Sequence, residues 1–482
     1  MKRTILDSGV PSDKILIEWF RGNYSKMNFT KAYEKVATQV IDLDISQDVH
    51  DLDGEANLNT QENLAILKKV WKKLLGNAII FLKSKDDREM FHDGEIFGTD
   101  KLMEIIEEFS TFENLLYGVI DHYREHIAHA FRVFLLGEGL IRESFGFEEV
   151  HILCESRISK RIRISPDEKE AMWCIIALTH DIGYPLEGID RINVRTREMI
   201  RQYGKVNFQE LAYLFPPQRQ AIDEQILRFI SSDLVSERRK FATHQQFKYL
   251  LKFYRAYERF DHGIISCMVL MRELVFFLES DFLLDRRRVL ETKDDAKQFL
   301  IRQTILRSIA SHNCEEIYHV TGRNFPFLLL ICDELQEWGR PKMEEVSKEI
   351  SAFRTVKINK FERVRKYNGL RIDYEVHFGI SKEDEDKKRV LKKSEAKLIL
   401  EEAGSHFRRK TKKFIKILRS AVGGERRSIS LRFAVVDDLD NTRYEFGLRR
   451  PPKTKKWLSP EWRYNDKPTT LAKLQEYLPK ES

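Results

Sequence analysis

Residues 177–188 read ALTHDIGYPLEG. An apolar run ends on two adjacent ionisable side chains, His180 and Asp181, followed by Gly183 and Pro185. Neighbouring residues on a helix point about 100° apart, so both can face one point only where the helix is finishing. Gly183 and Pro185 mark that finish. The pair is then either a solvated helix end or half of a shared cation site. Which reading holds depends on whether the rest of the chain supplies further ligands.

Upstream, Ser165-Pro166-Asp167-Glu168 has the form of an N-cap, a proline in the first turn and a glutamate reaching back, so it starts the helix that ends at His180. ENLLYGVIDHYREHIAHAFRVFLLG (113–137) repeats apolar residues every three or four positions and is predicted to stop at Gly137 as a C-cap. FDHGIISCMVLMRELVFFL (260–278) and FPFLLLICDELQEW (325–338) read as two more helices, with Pro326 in the first turn of the second. From about 112 to 345 the signal is almost wholly helical.

Beyond 345 the period changes. LRIDYEVHFGI (370–380) and SISLRFAVVDDLDNTRYEFGLRR (428–450) alternate like strands, with a hairpin turn at Asp440-Asn441. KKSEAKLILEEAGSHFRRKTKKFIKILRSA (392–421) between them reads as helix. The expected fold class is α+β: a mostly helical N-terminal region without an assigned role (1–111), a helical domain (112–345) and a smaller C-terminal α/β domain (346–482). Within the first region, DLDISQDVHDLDGEANLNTQEN (42–63) reads as a loop; its carboxylates lack calcium-loop spacing.

Composition narrows the classes. The 482 residues are 42% hydrophobic and 33% charged, enough for sizeable cores with a soluble surface. No apolar run approaches the length of a membrane span, and MKRTILDSGVPSDK lacks the apolar core of a signal peptide. The five cysteines are far apart and form no CxxC pair, which points to a reducing cytoplasm and away from a thiolate zinc site. The net charge of +7 is uneven: residues 341–482 hold 36 Lys and Arg against 22 Asp and Glu, or +14, leaving −7 for the rest. That split nominates the C-terminal third for contact with phosphates or an acidic partner.

Histidine and carboxylate ligands suit divalent ions such as Zn, Fe and Mn, and a helical scaffold must gather them from several helices. His126 and His129 lie one turn apart in REHIAHAFRV; His262 follows Asp261; His312 sits in LRSIASHNCEE; and Asp333 interrupts an apolar run, where a carboxylate must be paired or bind a cation. His122, His151 and His319 read as ordinary histidines.

The order of these residues resembles the HD superfamily of metal-dependent phosphohydrolases over about residues 115–340. His129 stands in H-x-x-R-V, His180-Asp181 in T-H-D-I-G and Asp333 in I-C-D-E-L-Q, while His262 and His312 are similar to the extra ligands of members that hold two ions. Tyr184 stands where the cyclic-dinucleotide phosphodiesterase branch has a lysine, and the His-Pro-Pro-Phe-Gly-His sequence of the triphosphohydrolase branch is not matched. The resemblance therefore implies a reaction type more than a substrate.

It implies one or two divalent ions (Mn, Fe, Mg or Zn), the first held by His129, His180, Asp181 and Asp333. Asp181 would bridge to a second ion on His262 and His312. His126 is placed beside the ligands or on the substrate. Arg132 either takes a phosphate oxygen or is a surface arginine, and Asp261 either orients His262 or caps its helix. The expected activity is hydrolysis of a nucleotide or related small phosphoester. The alternatives are an HD-type nuclease, which the basic C-terminal domain suits although no helix-turn-helix, zinc finger or RNP box is present, and a nucleotide-sensing module that uses that domain to engage a partner.

Overall fold

The computed structural model of this chain describes residues 5–35, 43–53, 58–83, 98–116, 126–152, 162–202, 204, 217–237, 240–278, 289–290, 292–314, 317, 322–339, 353–364, 369–379, 393–420, 429–439, 441–450 and 459–478. A mostly helical region precedes a six-stranded mixed sheet, so the architecture is α+β. The helices that build the site are α1 (Asp13–Asn23), α2 (Gln61–Leu82), α3 (His126–Ser144), α4 (Pro166–Thr179), α5 (Tyr184–Glu187), α6 (His262–Glu273), α7 (Lys293–Ser311) and α8 (Phe325–Leu335).

Helix α4 is the axis of the helical region. Its start is a capping box: Glu168 N–H donates to Ser165 Oγ (3.2 Å), and Ser165 N–H donates to Glu168 Oε2 (2.8 Å). Every residue from Lys169 to Thr179 is buried, because α2, α3 and α7 surround it. A helix enclosed on all sides needs no polar stripe, which is why its apolar residues run continuously into His180. Two indoles peg it in place. Trp173 Nε1 donates to Phe134 O of α3 (3.2 Å), and Trp71 Nε1 of α2 donates to Leu178 O (3.0 Å), just ahead of the His-Asp pair. Helices of the first hundred residues thus share a core with the site.

Four expectations change. The helix predicted over 113–137 is described as a helix over Thr99–Leu116 and then α3 from His126, with 117–125 outside the described residues. Gly137 does not end α3, which continues to Ser144 and stops before Gly146 at φ 76°. Gly137 instead lets Trp173 approach: a Cβ there would lie 2.0 Å from Trp173 Cζ2. The stretch 112–345 is also not wholly helical, since strands β1 (Ser232–Glu237), β2 (Lys240–Gln245) and β3 (Val289–Leu290) form a small antiparallel sheet. These strands are too short for period-2 alternation to stand out between helices. The 42–63 stretch contains a short helix, Ser46–Asp51, and buries Val49, Leu52 and Leu58 against the core.

The C-terminal sheet runs in the order β4 (Phe353–Val364), β5 (Gly369–Gly379), β6 (Ile429–Asp437), β7 (Thr442–Arg450), β8 (Glu461–Tyr464) and β9 (Lys467–Thr469). Only β5 and β6 are parallel, and helix α9 (Lys393–Ser420) makes the crossover between them. Phe407 and Phe414 of α9 pack on Phe433 and Tyr444 of the sheet. Asn441 takes φ 52° in the β6–β7 turn, as a tight hairpin needs, while Asp440 lies outside the described residues. Strand β4 escaped the sequence reading because a bulge between Ile358 and Lys360 breaks its alternation, moving the buried positions from Val356 and Ile358 to Phe361.

The two regions are joined by a packed contact. Phe145 stacks on Phe361 with centroids 6.2 Å apart, and Arg323 and Arg363 both grip Glu149 at 2.5 Å. Among the described residues no helix is long and apolar enough to cross a membrane.

Candidate metal centre

Helix α4 releases His180 and Asp181 into a turn whose shape depends on Gly183. A Cβ at Gly183 would meet His262 O at 2.4 Å and Ser266 N at 2.7 Å, so α6 can approach only because this residue has no side chain. Ser266 stitches the two together: its hydroxyl donates to His180 O (2.7 Å) and accepts from Gly183 N–H (2.8 Å). Gly263 does the same for α7, since a Cβ there would lie 2.6 Å from Ile309 O. Two glycines therefore bring three helix ends to one point.

That point is Asp181, which is 1% exposed. Its Oδ2 lies 3.4 Å from His129 Nε2 and 3.5 Å from His180 Nε2. Its Oδ1 lies 3.3 Å from His262 Nε2 and 3.5 Å from His312 Nε2. The ligand atoms form two groups that share the aspartate, His129–His180–Asp181 and Asp181–His262–His312, each within 4.8 Å. Asp333, on α8, places Oδ1 3.1 Å from His129 Nε2. The structure thus brings together the six residues nominated as ligands from five separate segments.

The proton arrangement decides whether this set fits a cation. Each of the four imidazoles uses Nδ1 against an oxygen. His129 faces Gln336 Oε1 (2.6 Å), His180 faces Ala177 O (2.8 Å), His262 faces Glu187 Oε2 (2.6 Å) and His312 faces Ile309 O (2.7 Å). These oxygens accept and do not donate, so Nδ1 carries the hydrogen and a neutral ring presents its Nε2 lone pair to the centre. His262 Nε2 and His312 Nε2 meet at 2.9 Å beside an anionic carboxylate. Converging lone pairs and negative charge in a buried place call for a cation, and the donor set is one that divalent transition ions accept.

Electrostatics point the same way. Burial drives the His180 pKa down to about 4, against the pull of Asp181, so that ring stays neutral. Burial also lowers His262, but its bonds to Asp181 and Glu187 outweigh this and raise it to about 9. The carboxylates Asp181 and Glu187 thus favour positive charge on or beside His262, whereas burial disfavours it on the His180 ring itself.

Other nominated residues are placed differently. His126, at the start of α3, lies against Tyr184 with ring centroids 4.4 Å apart, and Tyr184 is 5.2 Å from the ring of His262. Both rings therefore border the cluster. Arg132 is 1% exposed, so it is not a surface arginine. Its Nε and Nη2 donate to the two oxygens of Asp13 (2.8 and 2.7 Å), and Nη1 donates to Asn59 Oδ1 and Gly339 O. The guanidinium acts as a clamp on α1, since its spacing one turn from His129 carries it past the cluster. Asp261 occupies the N-cap position of α6 without making a cap bond, and its carboxylate pairs with Arg259 (3.0 Å). Glu187 is the carboxylate that orients His262.

Glu187, Gln336 and Ser266 were not legible as site residues. Glu187 is inside the ALTHDIGYPLEG stretch, and Gln336 is three residues beyond Asp333; only the fold shows which side chain each one reaches. No family model, curated protein or solved structure matches this chain.

Proposed function

We propose that this protein is an HD-type metal-dependent phosphohydrolase acting on a nucleotide or a related small phosphoester. The observation that carries the reading is the division of Asp181: one carboxylate oxygen faces His129 and His180, and the other faces His262 and His312. A single buried carboxylate serving two ligand groups is what a two-ion site requires of its bridge. His129, His180, Asp181 and Asp333 would hold one ion, and Asp181, His262 and His312 the other. Ions held there supply Lewis acidity toward a phosphoryl oxygen and a nucleophile at neutral pH.

The chain's own residues do the rest. The Nδ1 bonds fix the four rings in the tautomer and orientation a ligand needs, so nothing has to reorganise as charge develops. His126 and Tyr184 border the ligands, and in this reading they would meet the substrate and serve the leaving oxygen. A small substrate is favoured over a nucleic acid by how the C-terminal charges are spent. On the open sheet face Arg443 pairs with Glu375 (2.8 Å), and Arg432 and Arg463 both pair with Glu445 (2.6 and 3.6 Å). Three arginines of that face are engaged by carboxylates, which lowers its attraction for a polyanion.

The test is a hydrolysis screen of nucleotides, small phosphoesters and oligonucleotides with Mn, Fe, Mg and Zn, beside elemental analysis of wild type and Asp181→Ala. We expect turnover of a small phosphoester, with bound metal and activity both lost in the variant. Equal metal content in the two proteins overturns the ligand assignment. Activity confined to oligonucleotides replaces the substrate class with the nuclease one.

A further inference from the structure

Residues 333–338, DELQEW, leave α8 directly beneath the first ligand group, and each polar side chain in the segment goes somewhere different. Asp333 faces His129 Nε2 at 3.1 Å. Gln336, fully buried, accepts from His129 Nδ1 at 2.6 Å and donates to Trp338 O at 2.5 Å. Gln336 thus fixes the His129 ring through Nδ1, and Asp333, three residues earlier, sets a carboxylate oxygen beside Nε2. Glu334 and Glu337, the residues between and beside them, point the other way, to the C-terminal domain. There Lys410 of α9 forms ion pairs with both carboxylates and also donates to Glu334 O at 3.0 Å. Lys413 adds a second pair with Glu334 from a more exposed position.

The burial makes this more than a surface contact. The side chains of Lys410, Glu334 and Glu337 are 8%, 6% and 1% exposed. Two ammonium groups, Lys410 buried and Lys413 half-exposed, face these two buried carboxylates, and removing Lys410 leaves negative charge without compensation in a place water does not reach. Fixing Glu334 and Glu337 fixes the turn they share with Asp333 and Gln336. Of the second ligand group, His262 opens α6 and His312 follows the end of α7, elements separate from this segment.

We propose that Lys410 is a positioning residue for the metal centre: through Glu334 and Glu337 the C-terminal domain sets the affinity of the His129-containing ion position and leaves that of the His262–His312 position alone. The sheet domain is then part of the catalytic apparatus and not an appendage to it. The inference rests on the two-ion reading above, and it differs from it in predicting an asymmetry between the positions.

The experiment is calorimetric titration of the metal-free full-length chain with Mn(II), with Mn(II) resonance spectra to distinguish a coupled pair from a lone ion. Lys410→Met is the direct variant. The triple variant Lys410→Met, Glu334→Gln, Glu337→Gln removes all three charges together, keeps the shapes, and is the one expected to fold with wild-type stability. Lys413→Met is the exposed control.

Wild type and the control should bind two Mn(II) with a coupled spectrum. The triple variant should bind one ion with wild-type affinity and the other about 10–100-fold more weakly, the usual effect of losing a group that orients a ligand, and its spectrum should be that of an isolated ion at limiting metal. Two unchanged affinities in the folded triple variant, or an equal loss at both positions, would overturn the inference while leaving the two-ion site intact. Absence of Mn(II) binding to the wild type would instead remove the two-ion reading itself.

Discussion

Glu187 Oε2 lies 2.6 Å from His262 Nδ1 and 2.9 Å from the backbone N of the same residue. One carboxylate oxygen therefore fixes both the ring and the first turn of α6, replacing the side-chain cap that Asp261 does not provide. Glu187→Gln keeps the shape and a hydrogen-bond acceptor but removes the charge that raises the basicity of the ring. We expect metal affinity at the His262–His312 position to fall about 10–100-fold with little change in the thermal midpoint. Calorimetric titration with Mn(II) checks this, and an unchanged affinity would demote Glu187 to a helix cap.

Gly183 governs whether the three helix ends can meet. In Gly183→Ala the new Cβ would lie 2.4 Å from His262 O and 2.7 Å from Ser266 N, both backbone atoms that cannot swing aside. Overpacking of this kind costs about 1–3 kcal/mol, and relief must move α6 away from Asp181. The variant should lose stability in denaturant and lose activity more than proportionately, since His262 rides on the displaced helix. Full activity in a destabilised protein would show that the turn moves without carrying the ligand.

How much of this was readable in advance follows from which distances the sequence encodes. The ligands stood out as a set, a His-Asp pair where a helix finishes, a carboxylate interrupting an apolar run and histidines on other helices, in an order that resembles a known ligand pattern. The capping box at Ser165 and the first-turn Pro326 were legible because a cap is a local event. Gly137 was misread for the opposite reason: its role is set by Trp173, which is distant in sequence and invisible to any local rule. The orienting residues Glu187 and Gln336 were hidden likewise, since an acidic or amide side chain near a ligand has no signature until the fold shows what it faces. Arg132 shows the converse, for its helical spacing from His129 suggested the site, while its partner Asp13 lies on a different helix.

Arg132 and Asp13 form a buried bidentate pair, with Arg132 1% exposed. Burial pushes the Asp13 carboxyl up, but the guanidinium and bonds from Leu58 and Trp338 hold it below its ordinary value. Arg132→Met leaves that carboxylate without compensation in a buried place, at a cost of about 3–5 kcal/mol. Chemical denaturation should register this loss, and KM for the phosphoester should stay within about twofold of wild type among molecules still folded, because the arginine does not reach substrate. A large rise in KM with unchanged stability would restore the phosphate-binding role.

His377 offers a pH test of the C-terminal domain away from the metal ligands. Its Nδ1 lies 2.8 Å from Asp438 Oδ1 and its Nε2 3.2 Å from Glu375 Oε2. Bonds to these two carboxylates raise its pKa from 6.5 to about 9, against the effect of burial. The same contact, with Arg443 and Asn359, holds Glu375 well below its ordinary 4.5. The signs then follow from linkage. A histidine with a raised folded pKa stabilises fully below 6.5, and that contribution disappears as pH rises through 9. A glutamate with a lowered folded pKa stabilises fully above 4.5, and its contribution disappears as pH falls. The network is therefore strongest between about pH 4.5 and 6.5, and unfolding free energy should decline from 6.5 to 9 in the wild type. His377→Gln should flatten that decline, while the acid limb is weakened but retained because Arg443 still faces Glu375. A variant whose alkaline slope matched the wild type would show that His377 is already neutral in the folded sheet.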